Sequence, residues 1–171
     1  EVQSAPAGLK PHCSYLTGIW GASSSSVFAL ARCGNLIRYN GSKWVLSNPG
    51  PLGGQDDPDG GAYSAYDIWG TSASNVFVCG HFWPPDIGGL GGVYRFHAGG
   101  WTLSESLAGD STCVNSIWGH SASEVFAVGN DDVAGFVFHY HGGSWSMVGS
   151  FEEDGLFADC SLRGVWGSSS S

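Results

Sequence analysis

Short apolar runs alternate with polar turns along the whole chain, and four such runs recur in the same order. The first run ends in a Trp-Gly signature, at residues 19–21, 68–70 and 117–119. A Val-Phe run follows at 27–30, 76–79 and 125–128, a third run lies at 36–39, 93–96 and 137–140, and a Trp stands at 44, 101 and 145. Runs rich in β-branched and aromatic residues, separated by Gly, Ser and Asn, are typical of strands. Each unit therefore predicts a four-stranded antiparallel meander, with strands named A to D.

The units repeat at a nearly constant period. Trp20, Trp69 and Trp118 stand 49 residues apart, and Trp166 follows after 48 more. A fixed period of this length indicates tandem units that bury their apolar faces on each other. Four strands per unit favour a β-propeller, whereas an immunoglobulin-like sandwich needs no internal copy of itself. The sequence predicts an all-β β-propeller of four-stranded antiparallel blades, with three complete repeats and the start of a fourth.

The period also predicts the boundaries of the units. We expect an N-terminal extension at 1–12, blades at 13–61, 62–110 and 111–159, and the first strand of an incomplete fourth blade at 160–171. A closed propeller needs about four or more blades. Either the chain is a fragment of a larger propeller, or several chains complete or stack a ring. In the second case the lone fourth strand would add to the edge of a neighbouring chain.

Composition narrows the classes of partner. Glycine accounts for 28 of 171 residues and aromatic residues for 13%, which suits many tight turns between aromatic-packed sheets. Six basic and 15 acidic residues give a formal charge of -9, which argues against nucleic acid because that binding depends on Lys and Arg. No apolar run approaches the roughly 20 residues that span a bilayer, so membrane insertion is not expected.

The order of motifs resembles that of a known family. Trp-Gly-x-Ser, Val-Phe-Ala-Val-Gly, His-Tyr-x-Gly and Ser-Trp follow one another, best within residues 113–150. This order is similar to the repeat of secreted bacterial β-propeller proteins. The resemblance implies an extracellular or cell-surface protein that binds or scaffolds, in some members as a lectin. It transfers no catalytic residues, because the matched residues serve packing and turns.

Five cysteines favour an oxidising compartment. A turn near Ser23 and Ser24 would place Ile19 opposite Phe28, which brings Cys13 and Cys33 close enough to predict a cross-strand disulfide.

The other three cysteines lie on later blades. Cys113 and Cys160 precede two successive signatures by 5 and 6 residues, so they enter neighbouring A strands from the same end and are candidates for a second disulfide. Cys79 is in the register of Leu30 and Val128, which predicts a buried free thiol. An intermolecular bridge is the alternative for Cys79.

Loop lengths vary on one face only. The distance from the signature Trp to the strand D Trp is 24, 32 and 27 residues, and from there to the next signature 25, 17 and 21. In a meander the B–C and D–A connections emerge on one face, and variable loops on a rigid scaffold commonly carry binding residues. Eleven of the 15 acidic residues fall there: Asp56, Asp57, Asp59, Asp86, Asp110, Asp131, Asp132, Glu152, Glu153, Asp154 and Asp159. This acidic loop face is either a solvated surface or a site for a cation or a basic partner.

The longest B–C insertion contains a tryptophan without a counterpart in the other units. Trp83, together with His81, Asp86, Tyr63 and Tyr66, is the predicted ligand site. An indole beside polar groups can stack on a sugar ring or anchor a peptide. The alternative is that Trp83 caps the blade or folds back onto Pro84 and Pro85.

Carboxylates in the loops are candidate metal ligands. Asp56, Asp57 and Asp59 stand before a Gly turn, and oxygen ligands of this kind suit Ca²⁺. Asp131 and Asp132 form a weaker candidate. Calcium is therefore the cofactor considered, and no cofactor is certain.

Two histidines have the spacing of metal ligands. His139 and His141 are two residues apart, which points both rings to one side of a strand. However, they occupy the repeat positions of Arg38 and Arg95 and of Asn40 and His97, so we expect a structural role. The serine runs are turns and show no nucleophile elbow, and no catalytic residue is predicted.

The sequence thus favours a non-catalytic extracellular interaction propeller whose acidic loop face binds a glycan or a protein. The alternative is a structural subunit of a self-assembling extracellular complex, or a fragment of a larger propeller. A polysaccharide-active enzyme is the least favoured class.

Overall fold

The computed structural model describes residues 6–9, 15–47, 63–82, 89–108, 112–152 and 161–168. Within these residues the chain has no helix and forms three four-stranded antiparallel sheets, each a meander in chain order. Sheet 1 contains β1 (Leu16–Ser23), β2 (Ser26–Ala31), β3 (Leu36–Tyr39) and β4 (Trp44–Ser47). Sheet 2 contains β5 (Tyr63–Ser72), β6 (Asn75–Phe82), β7 (Leu90–His97) and β8 (Gly100–Ala108). Sheet 3 contains β9 (Cys113–Ser121), β10 (Glu124–Asn130), β11 (Ala134–His141) and β12 (Ser144–Glu152).

These sheets confirm the predicted all-β class and the three four-stranded units. The first strands lie side by side, since β1 contacts β5 and β5 contacts β9. Closure into a ring and the total number of blades remain predictions.

The serine runs form the hairpin turns between the first two strands of each sheet. In sheet 1 the turn is Ser24–Ser25, and the Ser25 amide donates to Ser23 Oγ at 3.4 Å. The same bond recurs at Ser72–Ser74 and Ser121–Ser123, at 3.3 Å each. Short hydroxyl side chains stabilise such turns by bonding to a nearby amide. The prediction that these residues are turns is confirmed.

The hairpin register differs by one residue from the prediction. Trp20 pairs with Phe28 and Ile19 with Ala29, rather than Ile19 with Phe28. Ser23 pairs with Ser26 across the two-residue turn, and the pairing shifts between Gly21 and Ser23. This irregularity in the ladder displaces the strands relative to a regular hairpin.

Two apolar layers hold the three sheets together, and sheet 2 contributes to both. Its even-numbered Val76 and Val78 face sheet 1, while Phe77 and Cys79 face sheet 3, because successive side chains of a strand point to opposite sides. The first layer contains Phe28, Leu30, Leu36, Ala65, Ile68, Val76, Val78, Phe82, Leu90 and Tyr94. The second contains Phe77, Cys79, Val93, Val114, Ile117, Val125, Ala127, Phe136, Phe138 and Tyr140. Strand β6 of sheet 2 is therefore buried on both faces.

The Trp-Gly signature is a contact between successive sheets. A Cβ built on Gly119 would lie 2.5 Å from the indole of Trp69. The equivalent distances are 3.1 Å from Gly70 to Trp20 and 2.6 Å from Gly167 to Trp118. Each indole thus occupies the space of a side chain on the next signature. A side chain at Gly119 or Gly167 would displace the ring, and at Gly70 its Cβ would also lie 2.8 Å from the Asn75 carbonyl oxygen.

Hydrogen bonds also connect each sheet to the residues that follow it. Asp67 Oδ2 accepts bonds from Ser116 Oγ at 2.8 Å and from the Ile117 amide at 3.1 Å. One repeat later, the Val165 amide donates to Ser116 Oγ at 3.3 Å. Residues 161–168 therefore lie against sheet 3 as β9 lies against sheet 2. In the described part of the chain, however, they are not paired into a sheet.

Candidate functional site

The residues that flank the long B–C insertion, which contains the predicted ligand site, are buried in the sheet. His81 is buried, and its Nδ1 lies 2.6 Å from the Thr112 carbonyl oxygen. Phe82 and Leu90, which bracket the insertion, pair across the sheet and are fully buried. Trp83 and Asp86 lie outside the described residues. His81 thus connects sheet 2 to the segment before β9 instead of standing on an open surface.

The predicted tyrosines of this site lie at the start of β5. The side chain of Tyr63 is outside the described residues. Tyr66 is half-buried, and its hydroxyl lies 4.0 Å from Cys113 Sγ. Burial, with a smaller contribution from the Cys113 thiolate, raises the pKa of Tyr66. Tyr66 therefore faces the boundary between sheets 2 and 3.

The predicted Cys113–Cys160 disulfide is wrong, because Cys113 is a free thiol. Cys113 begins β9, where it pairs with Asn130, and its sulfur faces the Tyr66 hydroxyl. Burial raises the pKa of this thiol. The prediction assumed that two cysteines at the same end of neighbouring strands can meet. That placement does not determine where the sulfurs point.

The other described cysteines differ from Cys113. Cys79 is a free, fully buried thiol in the apolar layer between sheets 2 and 3, as predicted, and burial raises its pKa well above the usual value. Cys33 is disulfide-bonded. Its partner lies outside the described residues, so the pairing of Cys33 with Cys13 stays a prediction.

The weaker calcium candidate has a structural explanation. Asp131 Oδ1 accepts hydrogen bonds from the amides of Val133 and Ala134, at 2.8 Å each. This carboxylate therefore closes the turn between β10 and β11, as Asp commonly does. Asp132 is exposed beside it. Asp56, Asp57 and Asp59 lie outside the described residues, and calcium binding there stays a prediction.

One glutamate and two histidines meet at the end of sheet 3 that lies opposite the Asp131 turn. Glu124 begins β10, and His139 and His141 end β11. His139 Nε2 lies 2.7 Å from Glu124 Oε2, and His141 Nδ1 is hydrogen-bonded to Glu124 Oε1. We name these three residues the His-Glu cluster. Sequence reasoning explained both histidines by their repeat positions and missed Glu124.

The repeat contained a signal for this cluster. In sheet 1, Arg38 donates to Ser26 Oγ at 3.1 Å, and in sheet 2, Arg95 donates to Asn75 Oδ1 at 2.9 Å. Glu124 and His139 occupy the same two positions in sheet 3. When the two positions are compared together across the strands, only the third unit has an acid beside a histidine.

The two histidines determine the electrostatics of Glu124. Their hydrogen bonds, first from His139 and then from His141, lower the pKa of the Glu124 carboxyl. The His139 ring also stacks on Phe126, with centroids 4.2 Å apart and planes at 2°. The cluster thus offers imidazole nitrogens and carboxylate oxygens, a donor set that suits a cation.

A separate apolar surface lies on β1. Tyr15, Leu16 and Ile19, which we name the β1 patch, are exposed. Ile19 is 69% exposed, whereas its repeat equivalents Ile68 and Ile117 are 4% and 3% exposed. Ile68 packs in the layer with sheet 1 and Ile117 in the layer with sheet 2. In the described part of the chain, no sheet precedes Ile19 and covers it.

Comparisons with known proteins do not place the chain in a family. No protein-family model and no curated protein sequence matches the chain. A solved structure similar to the chain is the WD40 β-propeller domain of Doa1, with a TM-score of 0.42 and 11% sequence identity. The match covers 91% of this chain, which spans 60% of that domain's chain. Such a match does not define a family. The described residues include no helix that is long and apolar enough to cross a membrane.

Proposed function

We propose that this chain is a non-catalytic interaction protein that assembles through the β1 patch. The exposure of Ile19 supports this proposal, because its equivalents Ile68 and Ile117, each preceded by a sheet of the repeat, are buried. Full burial of an Ile side chain stabilises an association by about 1.5–3 kcal/mol. Repeat proteins bury an apolar face of one unit against a neighbouring unit.

The proposed occupant of the β1 patch is a sheet from a second copy of the chain. The chain itself shows that this repeat can cover such a surface, since Phe28, Leu30 and Leu36 of sheet 1 lie in the layer that buries Ile68. Among the described residues β1 is the edge strand of sheet 1, and an edge strand can pair with another chain. Trp166, in the segment that follows sheet 3, is also 82% exposed.

Sedimentation velocity over a wide range of protein concentration tests this assembly. We expect oligomers for the intact chain and a shift to monomer for Ile19→Asp, because a carboxylate in an apolar interface loses its hydration. Val133→Asp is the matched control, since Val133 is also exposed but lies in the β10–β11 turn. Its oligomers should persist. A strict monomer at the highest concentration, or equal dissociation by both variants, would overturn the proposal.

A second candidate is recognition of a glycan or a protein by the acidic loop face, outside the cell. The fixed base of the 83–88 insertion supports it, because loops held by a rigid scaffold bind with less loss of entropy. The described acids Asp131, Asp132 and Glu152 also lie at the end of sheet 3 where the β10–β11 connection emerges.

A glycan array and a protein array, both probed with the labelled chain, test this second candidate. Trp83→Ala should abolish specific binding, with an unchanged circular dichroism spectrum. Trp166→Ala is the matched control, because it removes an exposed tryptophan from another part of the molecule. Absence of specific binding by the wild-type chain, or binding that survives Trp83→Ala, would count against this face.

A further inference from the structure

The His-Glu cluster has the strand geometry of a metal site. Glu124 and His141 are directly paired residues of β10 and β11, and His139 lies two residues earlier on β11. Residues i and i+2 of a strand share one face, so the three side chains project on the same side of sheet 3. Each provides one donor atom, and these atoms all lie within 4.8 Å of one another.

The equivalent positions in the other two sheets have a different chemistry. Arg38 and Arg95 lie over the rings of Phe28 and Phe77, with distances to the centroids of 5.4 and 4.9 Å. A guanidinium is always protonated and has no lone pair to donate, so it cannot bind a metal ion. His139 keeps the aromatic stacking, on Phe126, but replaces the fixed cation with a nitrogen ligand.

We propose that Glu124, His139 and His141 bind a divalent transition-metal ion, with Zn²⁺ as the ion. Two imidazole nitrogens and one carboxylate oxygen are a ligand set that zinc accepts, with the fourth position filled by water. Oxygen-preferring ions such as Ca²⁺ suit this set less well. The ion would join β10 to β11 at the end of the sheet that lies opposite the acidic loop face.

The environment of the cluster fits this role. Ligand distances to zinc are about 2.0–2.2 Å, so small rotations of the side chains bring the donors around one ion. The Glu124 and His139 side chains are 32% and 23% exposed, and His141 is 70% exposed. Two ligands are therefore partly protected, and the third remains open to an entering ion. Stacking on Phe126 limits the rotation of His139 and organises the site before the metal arrives.

Isothermal titration calorimetry of the intact, metal-free chain with ZnCl₂ tests the proposal. We expect one principal site. Its affinity for zinc should fall about 10–100-fold or more in Glu124→Gln, His139→Gln and His141→Gln. Loss of a direct ligand should cost at least as much as the loss of a partner that only orients a ligand, which is about 10–100-fold. Zinc should also raise the melting temperature of the wild-type chain, because it binds the folded state.

His97→Gln is the matched control. His97 occupies the repeat position of His141 in sheet 2, where the partner positions hold Asn75 and Arg95. This variant should bind zinc as the wild type does. Co²⁺ provides an independent readout, since a nitrogen- and oxygen-ligated Co²⁺ ion has visible absorption bands that the His141→Gln variant should lose.

Two outcomes would overturn the proposal. One is zinc affinity that is unchanged in all three cluster variants. The other is an equal loss in His97→Gln, which would indicate binding by dispersed surface histidines. If His139→Gln fails to fold, the exposed His141 still decides the result, because its replacement removes a ligand without opening the apolar layers.

Discussion

Sheets 1 and 2 contain the same signature in opposite surroundings. Ile68 of sheet 2 is 4% exposed and lies between two sheets, whereas Ile19 of sheet 1 is 69% exposed. The indole of Trp69 contacts Gly119, whereas the atoms nearest to a Cβ on Gly21 in the described part of the chain belong to Val27 and Ser23. The signature residues Ile68 and Trp69 therefore pack at the boundaries between units. This is the behaviour expected of repeat proteins, in which neighbour interfaces supply much of the stability.

The largest difference between the two sheets is expected from their isoleucines. Ile68→Ala should lower the free energy of unfolding by about 3 kcal/mol, because it removes buried methyl groups and leaves a cavity. Ile19→Ala is the matched control, and its effect should stay within about 0.5 kcal/mol for a monomeric sample. Urea unfolding followed by tryptophan fluorescence measures both values. Equal destabilisation by the two variants would show that Ile19 is covered in solution.

The signature glycines should show a smaller contrast of the same kind. Gly119→Ala places a methyl group against the Trp69 indole, where the Cβ would lie 2.5 Å from the ring. We expect a loss of about 2 kcal/mol from overpacking. At Gly21 the nearest atom to a Cβ is a Val27 methyl carbon at 3.5 Å, an ordinary contact.

Gly21→Ala should therefore have little effect in the same unfolding assay. If Gly119→Ala is equally neutral, the contact between Trp69 and the next signature is not a source of stability.

The period made the strands predictable, because the repeat reveals which residues are equivalent. Knowledge of equivalence also allowed the serine runs and Cys79 to be placed correctly. It did not predict the one-residue shift that pairs Trp20 with Phe28, since an irregularity in the ladder depends on local backbone geometry. The direction of the Cys113 thiol was likewise beyond a strand-level argument.

The His-Glu cluster was missed for another reason. Repeat alignment compares a residue with its equivalents, and His139 does stack on Phe126 in the place where Arg95 covers Phe77. Such an alignment compares one position at a time, so it does not reveal a contact between two positions whose residues both differ from those of the other units. Glu124 and His139 differ together from Asn75 and Arg95, and their hydrogen bond runs diagonally between β10 and β11. The exposure of Ile19 was also not predictable from a motif identical to that of Ile68.

Thiol reactivity should distinguish Cys79 in the buried strand β6 from Cys113 at the start of β9. Cys79 is fully buried, while Cys113 is partly exposed at the start of β9. Although burial raises the pKa of both thiols, access differs, and a reagent must reach the sulfur. Iodoacetamide labelling followed by peptide mass spectrometry should modify Cys113 well before Cys79. Labelling of Cys79 at the rate of Cys113 in the native protein would contradict the burial of β6 on both faces.

The smallest expected effect concerns two glutamates in contrasting surroundings. Burial raises the pKa of Glu105 in sheet 2, whereas hydrogen bonds from His139 and His141 lower that of Glu124 in sheet 3. A carboxyl whose pKa is lower in the folded chain stabilises the fold fully above its unfolded pKa, and this contribution is lost as the pH falls through the folded value. The raised pKa of Glu105 has the opposite effect, because ionisation of Glu105 at rising pH opposes folding.

Carbon-detected NMR titration of the metal-free chain should place the Glu124 midpoint below that of Glu105. His139→Gln with His141→Gln should move the Glu124 midpoint up and leave that of Glu105 in place, because only Glu124 exchanges hydrogen bonds with these rings. A Glu124 midpoint that does not respond would mean that the cluster does not form in solution.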